Sequence, residues 1–456
     1  MTKKATLYFH SGAGTVTGAN FRLVSEAGTQ ILLDCGMLQG SRVADAKNWE
    51  PFAYNPKEIK ALFVSHAHID HVGRIARLVH YGFTGTIYST APTKEIGLLL
   101  IEDSMGVLEK EREQDKRPEP LYDAQDVQKA ASLWKTLDYH EPVHVDDFQI
   151  VLRDAGHVLG SSMVEVTYNG KKFLYTGDLG NTPAPIVKDT EVVKDATYLL
   201  IESTYGNRNH EHVSERAEKL REVIKNSITA GGTLMIPAFS VERTQDLLYE
   251  VNQMIEKKEI PPVTVYLDSP LAIKVTAVYK KYESFFNKET QSVIKSGDDI
   301  FNFPGLKMTM STDESRAIHN DTKPKIVIAG SGMSNGGRII HHERKYLSDP
   351  NSTLLLVSYQ AAGTLGRMLQ DGAKRVWILG TPVNVRAHIA MIGGYSAHKD
   401  SDGLFNFVQA CDGSLKKIFV ALGEPASSLF MVQRIRDNLG IETTAPAVGE
   451  SVELDF

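Results

Sequence analysis

No feature of this chain restricts its fold and chemistry as tightly as Ser65-His66-Ala67-His68-Ile69-Asp70-His71. Four side chains able to bind a metal fall between His66 and His71. They follow an apolar run at 61–64 and precede Gly73. That pattern predicts a buried strand, a loop and then a helix over about 74–81. Side chains two apart in a strand share a face, which starts His66 and His68 on one side. The turn into the loop can bring Asp70 and His71 back towards the same point. Imidazole and carboxylate donors suit zinc, and two metals need ligands of this number and kind. The alternative is a histidine-rich surface loop, which a lone histidine would favour and four ligands at the end of an apolar strand do not.

Further strand ends repeat the theme. Asp34 closes the run Ile31-Leu32-Leu33, where an acid is either a loop cap or a partner that orients a metal-bound histidine. Asp154-Ala-Gly-His157 and Tyr175-Thr-Gly-Asp178 each end an apolar stretch, with Gly156 and Gly177 permitting the sharp turn that exposes the next side chain. His66, His68 and His157 can make one zinc site. Asp70 and His71 can make a second, with Asp178 bridging. Two metals roughly 3.5–4 Å apart, sharing a carboxylate and a hydroxide, are an arrangement suited to phosphodiester hydrolysis.

A chain of 456 residues has room for two or three domains. Its net charge of -6 argues against coating nucleic acid with the whole surface, while leaving room for a local basic cleft. Two cysteines, Cys35 and Cys411, make no disulfide framework and point to a reducing cytoplasm. No apolar run is long enough to span a membrane, and the N-terminus leads into no secretory segment. Helical periodicity is predicted over 93–110 and 124–137, with the charged stretch 109–119 as a solvated helix end and loop.

From residue 206 the pattern turns to strand–helix alternation, which predicts a second domain, residues 206–381, built on a mainly parallel sheet. Residues 1–205 and 382–456 form the first. Two Gly-rich turns end strands of the second domain, 330–337 before Arg338 and 360–366 before Arg367. Free backbone N–H groups at such turns favour anions. The phosphate-contact candidates are Ser331, Gly332, Gly337, Arg338, Gly363, Thr364 and Arg367.

In order and spacing, Asp34, the His66–His71 run, His157 and Asp178 resemble the first motifs of the metallo-β-lactamase superfamily. Glu202, Ile236-Pro-Ala-Phe-Ser-Val-Glu-Arg243, Asp268-Ser-Pro270, the two Gly-rich loops and Gly393-Gly-Tyr-Ser396-Ala-His398 resemble its β-CASP branch of nucleases, over essentially the whole chain. The resemblance implies an αββα sandwich with metals at one edge and a β-CASP α/β domain inserted so as to close over the zinc cleft. It implies that Asp34 supports the ligands without binding metal. It also implies that Asp70, Glu202 and His398 are catalytic, with His398 facing the scissile phosphate. A histidine held by an acid suits a general acid, and Glu202 is the partner expected.

One position departs from the family pattern. Where its ribonucleases have His-Gly-Glu, this chain has Leu422-Gly423-Glu424, and leucine cannot bind zinc. The second of two Zn2+ sites should therefore be weaker or hold another metal such as Mn2+. The expectation is a cytoplasmic, zinc-dependent ribonuclease, endonucleolytic with exonuclease activity as a second mode. RNA is the partner expected, single-stranded DNA is the alternative, no membrane is involved, and a homodimer is compatible with the sequence. The rivals are a DNA nuclease of the same family, a catalytically silent nucleic-acid-binding subunit, and a hydrolase of small esters, lactams or thioesters.

Overall fold

The structure, a computed structural model, describes residues 3–40, 42–117, 119–211, 213–361, 363–411 and 413–456. The chain forms two compact units, residues 1–209 with 398–456 and residues 210–397.

The first unit is a sandwich of two seven-stranded sheets. One runs Ser451–Asp455, Lys4–Ser11, Asn20–Ser25, Gln30–Leu33, Ala61–Phe63, Thr86–Ser89 and Trp134–Thr136 in spatial order. The other runs Glu442–Thr444, Lys417–Ala421, Tyr198–Glu202, Lys171–Tyr175, Ser162–Tyr168, Phe148–Asp154 and Val143–Val145. Each sheet is antiparallel on one side and parallel on the other. Phe9, Phe21, Phe148, Phe173 and Tyr175 fill the space between the sheets, and each such side chain contributes roughly 1.5–3 kcal/mol by leaving water. Helices cover both outer faces. Val127 and Ala130 of Ala124–Leu133 pack on the first sheet, and Leu404, Val408 and Ile435 of Ser401–Cys411 and Pro425–Leu439 pack on the second. This is the expected αββα arrangement.

The second unit has a six-stranded sheet in the order Leu306–Met308, Thr264–Leu267, Lys325–Ala329, Thr233–Pro237, Thr353–Leu356, His388–Met391. Every pairing in it is parallel, as strand–helix alternation requires. A separate two-stranded hairpin joins Arg375–Ile378 to Thr381–Asn384.

His388–Met391 adds in parallel to Thr353–Leu356, so the second compact unit runs to Ala397. One expectation needs correction. The helix predicted to reach 137 stops at Leu133: the Trp134 indole is buried, donates to Ser89 Oγ at 2.9 Å, and its backbone joins the sheet edge. The last two strands belong to different sheets. Glu442–Thr444 extends one sheet beside Lys417–Ala421, and Ser451–Asp455 extends the other beside Lys4–Ser11.

Candidate metal centre

The parallel strands of the sandwich deliver the predicted residues to one end of the unit. Asp34 follows Gln30–Leu33, His66 follows Ala61–Phe63, Asp178 follows Lys171–Tyr175 and Glu202 ends Tyr198–Glu202. His68 directly precedes the short helix Ile69–Val72, which presents Asp70 and His71. His157 enters from the loop after Phe148–Asp154, where Gly156 adopts a left-handed φ of 64° and a side chain would strike the backbone of Thr190 at 2.6 Å.

His66, His68, His157 and Asp178 each offer an atom to one point, all within 4.8 Å of one another. His66 Nε2 lies 3.1 Å from His68 Nδ1 and 3.5 Å from Asp178 Oδ2, and His157 Nε2 lies 3.3 Å from His68 Nδ1. Three imidazoles with one carboxylate oxygen form a tetrahedral-type donor set. Burial lowers the His66 pKa well below the ordinary range, leaving the neutral ring a ligand must be. For Asp178, burial opposes ionisation, yet His71 above all, then His66 and His398, hold the carboxyl far below its ordinary range.

A second donor group lies alongside. His71 Nε2 is buried without a hydrogen-bond partner, 3.4 Å from Asp178 Oδ2 and 4.0 Å from Asp70 Oδ2. Burial alone would discharge His71, but Asp178 and Asp34 outweigh it and hold its pKa well above the histidine range. A nitrogen that attracts a proton so strongly attracts any cation. Burial and the neighbouring Asp178 raise the Asp70 pKa to about 6, a second sign of carboxylates gathered without enough positive charge.

Asp34 binds none of these points and orients them. Its fully buried carboxylate accepts from Ser65 N and Ser65 Oγ at 2.7 Å, from Tyr175 Oη at 2.6 Å and from His71 Nδ1 at 2.7 Å. The last bond fixes the His71 tautomer with its Nε2 lone pair towards Asp70 and Asp178. Asp34→Asn would set an amide N–H group either against Ser65 N or against the three donors at Oδ2, and would remove the charge that holds the proton on His71 Nδ1. We expect it to weaken metal affinity about 10–100-fold in a chelator-competition titration; unchanged affinity would remove Asp34 from this role. Sequence reading gave Ser65 and Tyr175 no part. Their signal was position alone, directly before His66 and within Tyr175-Thr-Gly-Asp178.

His398 Nδ1 meets Glu202 Oε1 at 3.1 Å and Oε2 at 3.2 Å, and Asp178 Oδ2 at 3.9 Å. Glu202 is fully buried and also accepts from Leu179 N at 2.8 Å and Thr204 N at 3.2 Å, which fixes its plane. Burial opposes the charged imidazole, but Glu202 and then Asp178 raise the His398 pKa to about 9.

Three family models match the chain in order: a metallo-β-lactamase superfamily domain over residues 23–202, a Beta-Casp domain over 244–369 and a Zn-dependent metallo-hydrolase RNA specificity domain over 382–446. The chain is 35% identical over 397 residues to a protein named as a ribonuclease from Thermus thermophilus, covering 87% of this chain and 89% of that one. The chain belongs to the β-CASP branch of the metallo-β-lactamase superfamily. This β-CASP protein is also 31% identical over 448 residues to an RNase J-like protein of Methanocaldococcus jannaschii, covering 97% of this chain and 98% of the other. It is 31% identical over 455 residues to the transcription termination factor FttA of Methanosarcina mazei, across 70% of that protein. A crystal structure of a protein of unknown function from Enterococcus faecalis shares the fold, with a TM-score of 0.57 at 14% identity over the whole of both chains.

The departure at Leu422 has a structural counterpart in this β-CASP protein. Leu422 is 1% exposed and belongs to the core between the sheets. Its Cδ2 lies 2.9 Å from where a Cβ on Gly12 would stand, so a glycine there gives the leucine room. Its backbone N donates to Gly12 O at 2.7 Å, and its carbonyl accepts from Thr204 Oγ1 at 3.1 Å.

In the second unit of this β-CASP protein the two Gly-rich loops are stitched together. Gln360 Nε2 donates to Gly332 O at 3.0 Å, Gly366 N to Met333 O at 3.2 Å and Leu365 N to Asn335 Oδ1 at 3.2 Å. A Cβ on Gly337 would sit 2.3 Å from Gly330 O, so the turn requires glycine. Ser331 Oγ accepts from Asn335 N, and Thr364 caps its own helix. Gly363 has a left-handed φ of 86°, and its neighbour Ala362 lies outside the described residues. Both expected phosphate arginines have acidic partners. Arg338 donates to Asp268 Oδ1 at 2.8 Å and to the carbonyls of Thr309 and Met310, and Arg367 pairs with Asp371 at 2.9 Å.

Proposed function

We propose that this chain is a zinc-dependent ribonuclease that hydrolyses phosphodiester bonds in RNA, in the cytoplasm. The observation that carries the reading is the convergence of His66, His68, His157 and Asp178 beside the His398–Glu202 pair. The ribonuclease name of the Thermus relative and the RNA specificity match over 382–446 support RNA as substrate. Two buried free cysteines agree with a reducing compartment.

Zinc would be held by His66, His68, His157 and Asp178, with Asp70, His71 and Asp178 offering a second position. A metal bound there supplies Lewis-acid activation of water and of the phosphate. Asp34 keeps His71 in its binding tautomer. Glu202 keeps a proton on His398, which delivers it to the departing ribose oxygen. The Leu422 side chain offers no donor, so the second position relies on carboxylates and His71 and binds metal more weakly. In the second unit, the Gly-rich loops are the anion contacts through Ser331, Gly332, Gly337, Gly363 and Thr364, while the N–H groups of Leu365 and Gly366 serve to hold the two loops together. Arg338 stiffens that frame through Asp268 instead of reaching for phosphate.

Matched RNA and DNA oligonucleotides of one sequence, labelled internally and at the ends, test the reading. We expect RNA to be cut and DNA to be spared, with the label pattern separating internal from terminal cleavage. Preferential cutting of DNA would overturn the substrate. Zinc bound without cleavage of either would favour the silent subunit.

A further inference from the structure

The hairpin Arg375–Ile378 and Thr381–Asn384 stands apart from the six-stranded sheet of its unit. Strand alternation splits its side chains. Val376, Ile378 and Val383 are buried in the core of the unit. Arg375, Trp377, Pro382 and Asn384 are exposed, and the register sets Trp377 opposite Pro382 and Arg375 opposite Asn384 on one face. Trp377 is 67% exposed, although few side chains gain more from burial. A neighbouring cavity of about 490 Å³ is lined by Lys374, Arg386 and His388, with Gln370 and Met391.

The charge here runs against the rest of the chain. Acids outnumber bases 56 to 50 overall, yet no Asp or Glu occurs from Gly372 to Lys399. Among the described residues Lys374, Arg375 and Arg386 have no carboxylate partner, whereas Arg367 in the preceding helix is paired with Asp371. An apolar protein surface docked on Trp377 would bury those cations uncompensated, at a cost of several kcal/mol each. A single nucleic-acid strand satisfies both features at once, with a base for the indole and phosphates for the cations.

We propose that this face and the cavity at the base of the hairpin form an accessory binding site for single-stranded RNA, with Trp377 stacking on a base while Arg375 beside it and Lys374 and Arg386 at the cavity meet the backbone. The proposal rests on the ribonuclease reading for its choice of nucleic acid.

The full-length protein is titrated, in chelator so that RNA stays intact, into a fluorescent single-stranded RNA of about 20 nucleotides, longer than one such site covers. Trp377→Ala is expected to weaken binding about tenfold, within the range for one lost stack, and Trp377→Tyr to restore most of it. Lys374→Gln with Arg386→Gln should flatten the salt slope by about 1.4, at about 0.7 per lost phosphate contact on a single strand. Thermal midpoints should match the wild type. Variants that bind RNA like the wild type, or a wild-type chain without RNA affinity, overturn the site. Loss of a dimer in sedimentation for Trp377→Ala, with RNA affinity unchanged, would make this face a protein interface and overturn it equally. A chain that binds RNA through Trp377 yet cuts none sinks the ribonuclease reading and leaves this site standing.

Discussion

His68→Ala is expected to reduce RNA hydrolysis by about 10³-fold or more and to lose bound metal, with the fold intact. His68 Nδ1 stands within 3.3 Å of both His66 Nε2 and His157 Nε2, so its removal opens one side of a four-donor set. His68 is also the least buried of the three imidazoles, while His66 is 0% and His157 1% exposed. Truncating His66 or His157 would leave a cavity and confound lost metal with lost stability; truncating His68 exposes its place to water. Metal content by plasma emission, the thermal midpoint and RNA cleavage are measured on the same preparation. A variant that keeps its metal and cuts at the wild-type rate would remove His68 from the centre and with it the proposed chemistry.

The centre was legible in the sequence because its parts lie at the ends of apolar strands, where a short-range pattern marks both the strand and the exposed residue. His66, His68, His157 and Asp178 come together as that pattern implies. What the pattern could not carry was partnership between residues far apart in the chain. Arg338 follows a Gly-rich turn in a way that suggests a phosphate contact, but Asp268, seventy residues earlier, claims its guanidinium. Tyr175 looks like any strand aromatic until its hydroxyl is found on Asp34. The fold shows the same division. Alternation gave the parallel sheet of the second unit, but not that His388–Met391 would join its edge, since a short apolar strand is compatible with either sheet. The apolar spacing that predicts a helix over 124–137 continues into Trp134, which turns inward as a strand.

Replacing His398 by Ala should slow RNA cleavage by about 10²–10⁴-fold, the usual worth of a positioned general acid. The pH profile tells this role from a structural one. A general acid works only while protonated. With the His398 pKa raised to about 9, cleavage should hold through neutral pH and fall as pH rises through that value. His398→Ala should lose this alkaline limb along with the rate. Glu202→Gln is the sharper test, because glutamine keeps an oxygen to accept from Nδ1 and Leu179 N while removing the charge that most raises the imidazole. The His398 pKa should then fall towards its ordinary 6.5, and the alkaline limb should move to lower pH by a unit or more, each unit being about 1.4 kcal/mol of lost interaction with the charged ring. If Glu202 only braces the strand end, Glu202→Gln would lower the rate or the melting temperature and leave the limb where it is. That result would refute the assignment of His398 as the proton donor held by Glu202.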